Sequence, residues 1–155
     1  FDQTKQIIDY CEEFGIYTSA NYIIGFPTET WGEIRETLRM AEWLGSDYTR
    51  IFAAVPLKNT KLWELTVETN SFKTDYDHFD GTSSWSSGQI ETDEFTVNEL
   101  RMIRCLEWDR INFKTEEKAK RWGRINFMTL EQIEEFRKET RRNVGVYFVG
   151  QTENG

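Results

Sequence analysis

The residues best placed for chemistry sit in one short run. Ile24-Gly25-Phe26-Pro27-Thr28-Glu29 follows an apolar, β-branched stretch and leads into a helical pattern. A sharp bend between a parallel strand and a helix N-terminus gathers backbone N–H groups, and ligands bind at the carboxyl ends of such strands. Gly25 would let a ligand approach the backbone closely, and Pro27 would fix the turn. A tight turn with no ligand would need the same two residues. Thr28 can cap the following helix, which would put Glu29 in its first turn, where a carboxylate is favoured.

Other chemistry-bearing residues are scattered. His78 is the only histidine, and no nucleophile motif accompanies it, so a hydrolytic triad has little support. Asp75, Asp77 and Asp80 lack the glycine and spacing of a calcium loop and read as solvated surface. Cys11 and Cys105 lie far apart in helical patterns with no CxxC spacing. They read as two buried, reduced thiols of an intracellular protein, and the localisation expected is cytoplasmic. Their number and spacing exclude a disulfide framework and a complete cysteine-ligated metal site. The six tryptophans read as core anchors, with Trp85 in a Ser-rich loop able to cover a substrate.

The elements that would position the bend are legible from periodicity. Ile7, Ile8, Cys11 and Phe14 recur at helical spacing over Asp2–Phe14, and Gly15 fits the stop. Tyr17–Ile24 reads as a buried strand. Ile34, Thr37, Leu38, Ala41 and Leu44 form the stripe of a second helix closed by Gly45, and Tyr48–Val55 is strand-like up to Pro56. Helix, strand, helix, strand with short links predicts parallel βα units joined by a right-handed crossover. A short helix follows over about 60–67. Residues 68–95 read as a long irregular stretch, a surface loop or a linker. Thr96-Val97-Asn98-Glu99 and Thr129-Leu130-Glu131-Gln132 have capping-box form and open helices carrying Leu100, Ile103, Leu106 and Ile111, then Ile133 and Phe136. Val144–Val149 is read as a terminal strand or an apolar tail.

The 155 residues suffice for one ordinary domain, and an aromatic content of 15 % excludes wholesale disorder. No apolar run is long enough to span a membrane. A net charge of −8 argues against generic nucleic-acid binding. Residues 1–100 hold 7 basic and 18 acidic side chains, whereas 101–142 hold 12 basic and 8 acidic, so any phosphate-bearing partner would meet the C-terminal region. Helix faces laced with i,i+4 ion pairs would give the same balance.

Ala20-Asn21-Tyr22-Ile23-Ile24-Gly25-Phe26-Pro27-Thr28-Glu29-Thr30 with its following helix resembles the fifth strand and helix of radical S-adenosylmethionine (SAM) enzymes. The likeness is to members that carry an N-terminal cobalamin-binding domain. Pro56-Leu57-Lys58-Asn59-Thr60-Lys61-Leu62 resembles the Pro-x-Pro-Gly-Thr-x-Leu segment after the sixth strand. The resemblance covers residues 1–70 and, loosely, 85–105. It implies an α/β fold: the last βα units of a partial (βα)6 TIM-like barrel over 1–70, a loop or linker over 71–95, and a mainly helical extension over 96–155. It implies SAM bound to a 4Fe-4S cluster and cleaved to a radical that starts chemistry on a small-molecule or peptide substrate. Cobalamin is a further cofactor among such relatives.

By the match, Asn21, Ile23, Gly25, Phe26 and Glu29 would line or support the adenine side of SAM, with Val55 and Leu57 flanking it from the next strand. Asn21 stands where a glycine is usual, Glu29 falls one residue late, and Lys58-Asn59 replaces Pro-Gly. Period-two alternation turns Asn21, Ile23 and Gly25 the same way, so the Asn21 amide would reach either ligand or neighbouring backbone. His78-Phe79-Asp80-Gly81 matches the His-x-x-Gly of cobalamin domains, but Tyr76 stands where an acid is needed. No CxxxCxxC occurs, so the cluster ligands and the first four βα units would lie upstream in the same protein, and this stretch alone would be inactive. The rival expectation is a non-catalytic α/β interaction domain with a basic helical tail.

Overall fold

The computed structural model describes residues 2–73 and 88–143. His78, the Asp75/Asp77/Asp80 group, Trp85 and the Val144–Val149 run lie outside them. The order is α1 (Asp2–Glu13), β1 (Ser19–Ile24), α2 (Trp31–Leu44), β2 (Tyr48–Ala53), α3 (Lys61–Glu68), α4 (Val97–Asn112), α5 (Glu116–Asn126) and α6 (Leu130–Asn143). β1 and β2 pair in parallel, Ser19 opposite Tyr48 through Ile24 opposite Ala53, as the alternation of elements predicts. The described sheet has these two strands, and a barrel is not seen among the described residues.

The two faces of the sheet differ. Ile24 and Ile51 point into a core with Ile34, Leu38 and Ala41 of α2 and Leu100 and Ile111 of α4. Each of these isoleucine and leucine side chains contributes roughly 1.5–3 kcal/mol on leaving water. Ile90 and Phe95, from the stretch read as irregular, are each 1 % exposed in that same core. Its two ends are tied by an antiparallel bridge, Phe72 to Ile90. On the opposite face, Ser19, Asn21 and Ile23 lie beside Tyr48, Arg50 and Phe52; α5 reaches it at Tyr48, whose ring lies 5.4 Å from that of Trp122, and Ile23 is 47 % exposed. Arg50 lies over the Tyr48 ring, 4.6 Å from its centroid.

α2 begins two residues later than the sequence suggests. Thr30, not Thr28, is the cap. Its hydroxyl accepts from Glu33 N, and the Glu33 carboxylate accepts from Thr30 N at 2.8 Å. Glu29 therefore precedes the helix instead of lying in its first turn. α5, with Thr115 as its cap, has no counterpart among the expected helices. Trp108, Phe113, Trp122 and Phe136 pack edge-on or stacked where α4, α5 and α6 meet. Trp122 is buried, whereas Trp43 is exposed, so tryptophan is not uniformly a core anchor here. Cys105 is buried and Cys11 only partly so, which corrects the expectation of two buried thiols.

Ion pairs between elements fix the helical extension to the sheet. Arg137 and Arg141 of α6 meet Asp109 of α4, Lys114 and Arg110 meet Glu42 of α2, and Arg121 of α5 meets Asp47 before β2. Much of the positive charge of 101–142 is thus neutralised within the molecule.

Candidate functional site

The bend after β1 is shaped from inside the protein. Gly25 has φ +86°, and a Cβ there would lie 2.6 Å from Leu100 Cδ1. The close approach that requires glycine is made by α4, not by a ligand. Leu100 was expected in a helix stripe, but nothing in the sequence links it to Gly25.

Glu29 occupies the amides that a ligand would otherwise use. Its carboxylate accepts from Gly25 N at 2.5 Å and from Phe26 N at 3.1 Å. Burial pushes the Glu29 carboxyl above its ordinary value, against the pull of those two amides, and the charge of Glu33 adds to the rise. At the start of α2, Glu94 accepts from Trp31 N at 3.3 Å. Glu29, Glu33 and Glu94 together therefore saturate the bend and the first turn of α2 with negative charge. An anion has no place there.

The other candidate residues sort by exposure. Asn21 and Ile23 lie on the face opposite the α2 core, and Phe26 and Leu57 are 37 % and 38 % exposed at the carboxyl end of the sheet. Asn21 forms no hydrogen bond with the described residues, which leaves its amide free to donate and accept. Val55 is 7 % exposed and turned inward, while Leu57 leaves from the same end of β2. Gly25 and Glu29 shape the bend between these groups. Backbone pairing joins the strands up to it, with Ala54 N donating to Ile24 O at 2.8 Å.

A cleft of about 650 Å³ opens on the other side of the bend, between Pro27–Thr30, Thr69–Phe72 and Glu91–Glu94. Glu29 is its one link to the candidate residues, and carboxylates and hydroxyls dominate its walls.

The donor set can be tested against the groups the resemblance implies. A flat, uncharged heterocycle such as adenine suits apolar Ile23, Phe26 and Leu57 with a free Asn21 amide alongside, and the acid-filled bend would repel a phosphate. In residue type alone these groups suit the adenosyl part of SAM. A 4Fe-4S cluster does not fit this chain's own residues: the two cysteines lie on separate helices, and no metal-holding cluster of His, Cys, Asp or Glu occurs among the described residues. No helix of the described residues is long and apolar enough to cross a membrane.

Comparison with known proteins gives one informative relative. The chain is 34 % identical over 68 residues to an uncharacterized methyltransferase of Pyrococcus horikoshii, a match covering 44 % of this chain and 15 % of the relative. The similarity thus spans less than a sixth of that enzyme's length. No protein-family description matches the chain, and no solved structure does. What is established is a stretch of 68 residues similar to part of a methyltransferase.

Proposed function

We propose that these residues are the C-terminal βα units of a radical SAM methyltransferase, with the bend after β1 beside the adenosyl group. The observation that carries this reading is the 68-residue match to a methyltransferase, a class of enzyme that draws its methyl group from SAM or a carrier loaded from it. The exposed apolar side chains of Ile23, Phe26 and Leu57, with an Asn21 amide that no described residue engages, support it on chemical grounds. When bound, SAM would supply the methyl group and, on one-electron reduction, the radical chemistry of the family resembled.

The chain's own residues have positioning tasks. Ile23, Phe26 and Leu57 exclude water from a planar ring. Asn21 hydrogen-bonds its edge. Glu29 keeps the loop in one conformation by holding the Gly25 and Phe26 amides, so little loop entropy is lost on binding. The cluster ligands belong to a segment outside these residues, and cobalamin, if used, to another.

The test is anaerobic reconstitution of the protein encoded by the whole gene. A CxxxCxxC motif ahead of these residues, iron–sulfur absorbance and release of 5′-deoxyadenosine are expected. A whole gene with no such motif, yielding protein that forms no cluster and releases no nucleoside, refutes the proposal and leaves an α/β interaction module.

A further inference from the structure

Phe127 ends α5 in a conformation that suits glycine. Its backbone is left-handed, with φ 55° and ψ 41°, at the position after a helix where glycine is usual because a Cβ is crowded there. Its N–H donates to Gly123 O, and Met128 N donates to the same oxygen at 2.8 Å. Gly123 in turn lets the chain fold back over the helix, since a Cβ there would lie 2.6 Å from Met128 O. On the far side of the turn, Thr129 N donates to Gln132 Oε1 at 2.8 Å, and Gln132 N donates to Thr129 Oγ1 at 3.2 Å, which starts α6. The turn is fixed from both ends.

The side chain that this turn presents does not pack into the fold. Phe127 is 95 % exposed, more than any other large apolar residue described. A phenylalanine where glycine would be less strained, with its ring in water, weakens the molecule that carries it. Backbone strain of this kind gathers at sites of function.

Beside the ring lies a hollow of about 530 Å³, walled by Met128 and Leu130 with Lys120 and Arg124 at its rim, and no carboxylate lines it. Lys120 pairs with Glu116 on its own helix, whereas Arg124 makes no ion pair with a described residue. In a chain of net charge −8, this apolar hollow with a basic rim is a local reversal of sign.

We infer that the α5–α6 turn docks an acidic segment of another protein, with a bulky apolar side chain of that segment against Phe127 in the hollow and its carboxylates at Arg124 and Lys120. A fixed aromatic ring inside a charged rim is the anatomy of an interface hot spot, and a rigid turn loses little entropy on binding. Nucleic acid fits less well, because two cations do not make a stripe along a backbone and the overall charge repels a polyanion. Two copies meeting turn to turn would bring like charges together. The surface lies apart from the bend after β1 and needs neither SAM nor a cluster to act.

Selection of random peptides displayed on phage tests it, with the protein encoded by the whole gene as target and its Phe127→Gly variant as counter-target. Enriched peptides should combine aspartate or glutamate with leucine or an aromatic residue. A synthetic copy of one should lose affinity about tenfold or more on Phe127→Gly and about fivefold on Arg124→Glu. Because glycine suits the left-handed backbone, Phe127→Gly should raise Tm while it removes binding. A fall in Tm would place the ring in the fold and overturn the inference. So would no enrichment, enrichment of basic or uncharged peptides, or equal affinity for the variant. A mixed-sequence oligonucleotide that binds through Phe127, or self-association that Phe127→Gly abolishes in sedimentation, would hand the surface to another occupant and overturn it too. Absence of a cluster in the same protein bears on the enzyme reading alone.

Discussion

Glu29 shows how one side chain can take the place of a ligand. Its carboxylate closes on the Gly25 and Phe26 amides at a real cost in hydration, which is why its carboxyl sits above the ordinary value of 4.5. The folded state then holds a proton on Glu29 in a window where the unfolded chain has lost it. This group's contribution to stability falls as pH rises through that window and recovers as pH drops. Glu33 and Glu99 behave oppositely. Their capping-box bonds to Thr30 and Thr96 hold them below 4.5, so their contribution is present above that value and is lost as pH falls. A carbon-detected NMR titration should therefore find Glu29 with the highest midpoint of the three; a Glu29 midpoint below the other two would contradict the bend geometry. Glu29→Gln keeps an acceptor for Gly25 N and should leave urea stability at neutral pH within about 1 kcal/mol. Glu29→Ala strands two amides and should cost about 1–3 kcal/mol. At Gly25 the positive φ and the Leu100 contact act together, so Gly25→Ala should lose about 2 kcal/mol or more in the same urea assay.

At the scale of elements, local signals and long-range ones part company. The stripe Ile34, Leu38, Ala41 and Leu44, closed by Gly45, specifies α2 without help from the rest of the chain, and the β-branched runs specify β1 and β2. The Thr30-x-x-Glu33 box is present in the sequence, but Thr28 two residues earlier has the same capping chemistry, and only the bonds between Thr30 and Glu33 separate them. α5 was missed although Thr115 with Glu116 and Glu117 announces a helix start, because its apolar residues are few. Of the candidate site, the bend and its outward-facing residues were legible, since they follow from period two and from one glycine. Leu100 behind Gly25 and Asn112 beside Thr49 were not, since each joins positions more than sixty residues apart. The Asn112 contact carries a sharp prediction. Asn112→Leu fills the space but orphans the buried N–H and C=O of Thr49, and should cost about 3 kcal/mol in thermal or urea unfolding. Arg104→Met should cost clearly less, because losing its one bond to Ile51 O is offset by relieving a guanidinium that burial disfavours. Equal losses at the two positions would mean that α4 closes the strand edge by packing alone.

For the molecule as a whole, the question is what limits association between copies. Its charge does not, beyond general repulsion, because the basic side chains of α4, α5 and α6 are largely engaged with Asp109, Glu42, Asp47 and their own helix neighbours. One part of the apolar surface gathers near β1, with Ile7, Tyr10, Phe14 and Ile16 on or just after α1 and Ile23 on the outer edge of β1, while Phe127, Val67 and Trp43 are exposed on other elements. A flat edge strand with apolar neighbours is a template for pairing with any available strand, including that of another copy. The 155-residue chain at tens of micromolar should therefore sediment as a mixture of monomer and larger species. Ile23→Lys tests where the contact lies. Ile23 is 47 % exposed and faces away from the core, so a lysine there leaves the packing of Ile24, Ile34 and Leu100 intact while placing a charge on the edge. Sedimentation velocity should show the monomer fraction rising with Ile23→Lys while the far-ultraviolet circular dichroism and Tm stay unchanged. The same association in both chains would move the contact off β1, to the aromatic line of α1, and Tyr10→Lys with Phe14→Lys would then be the pair that abolishes it.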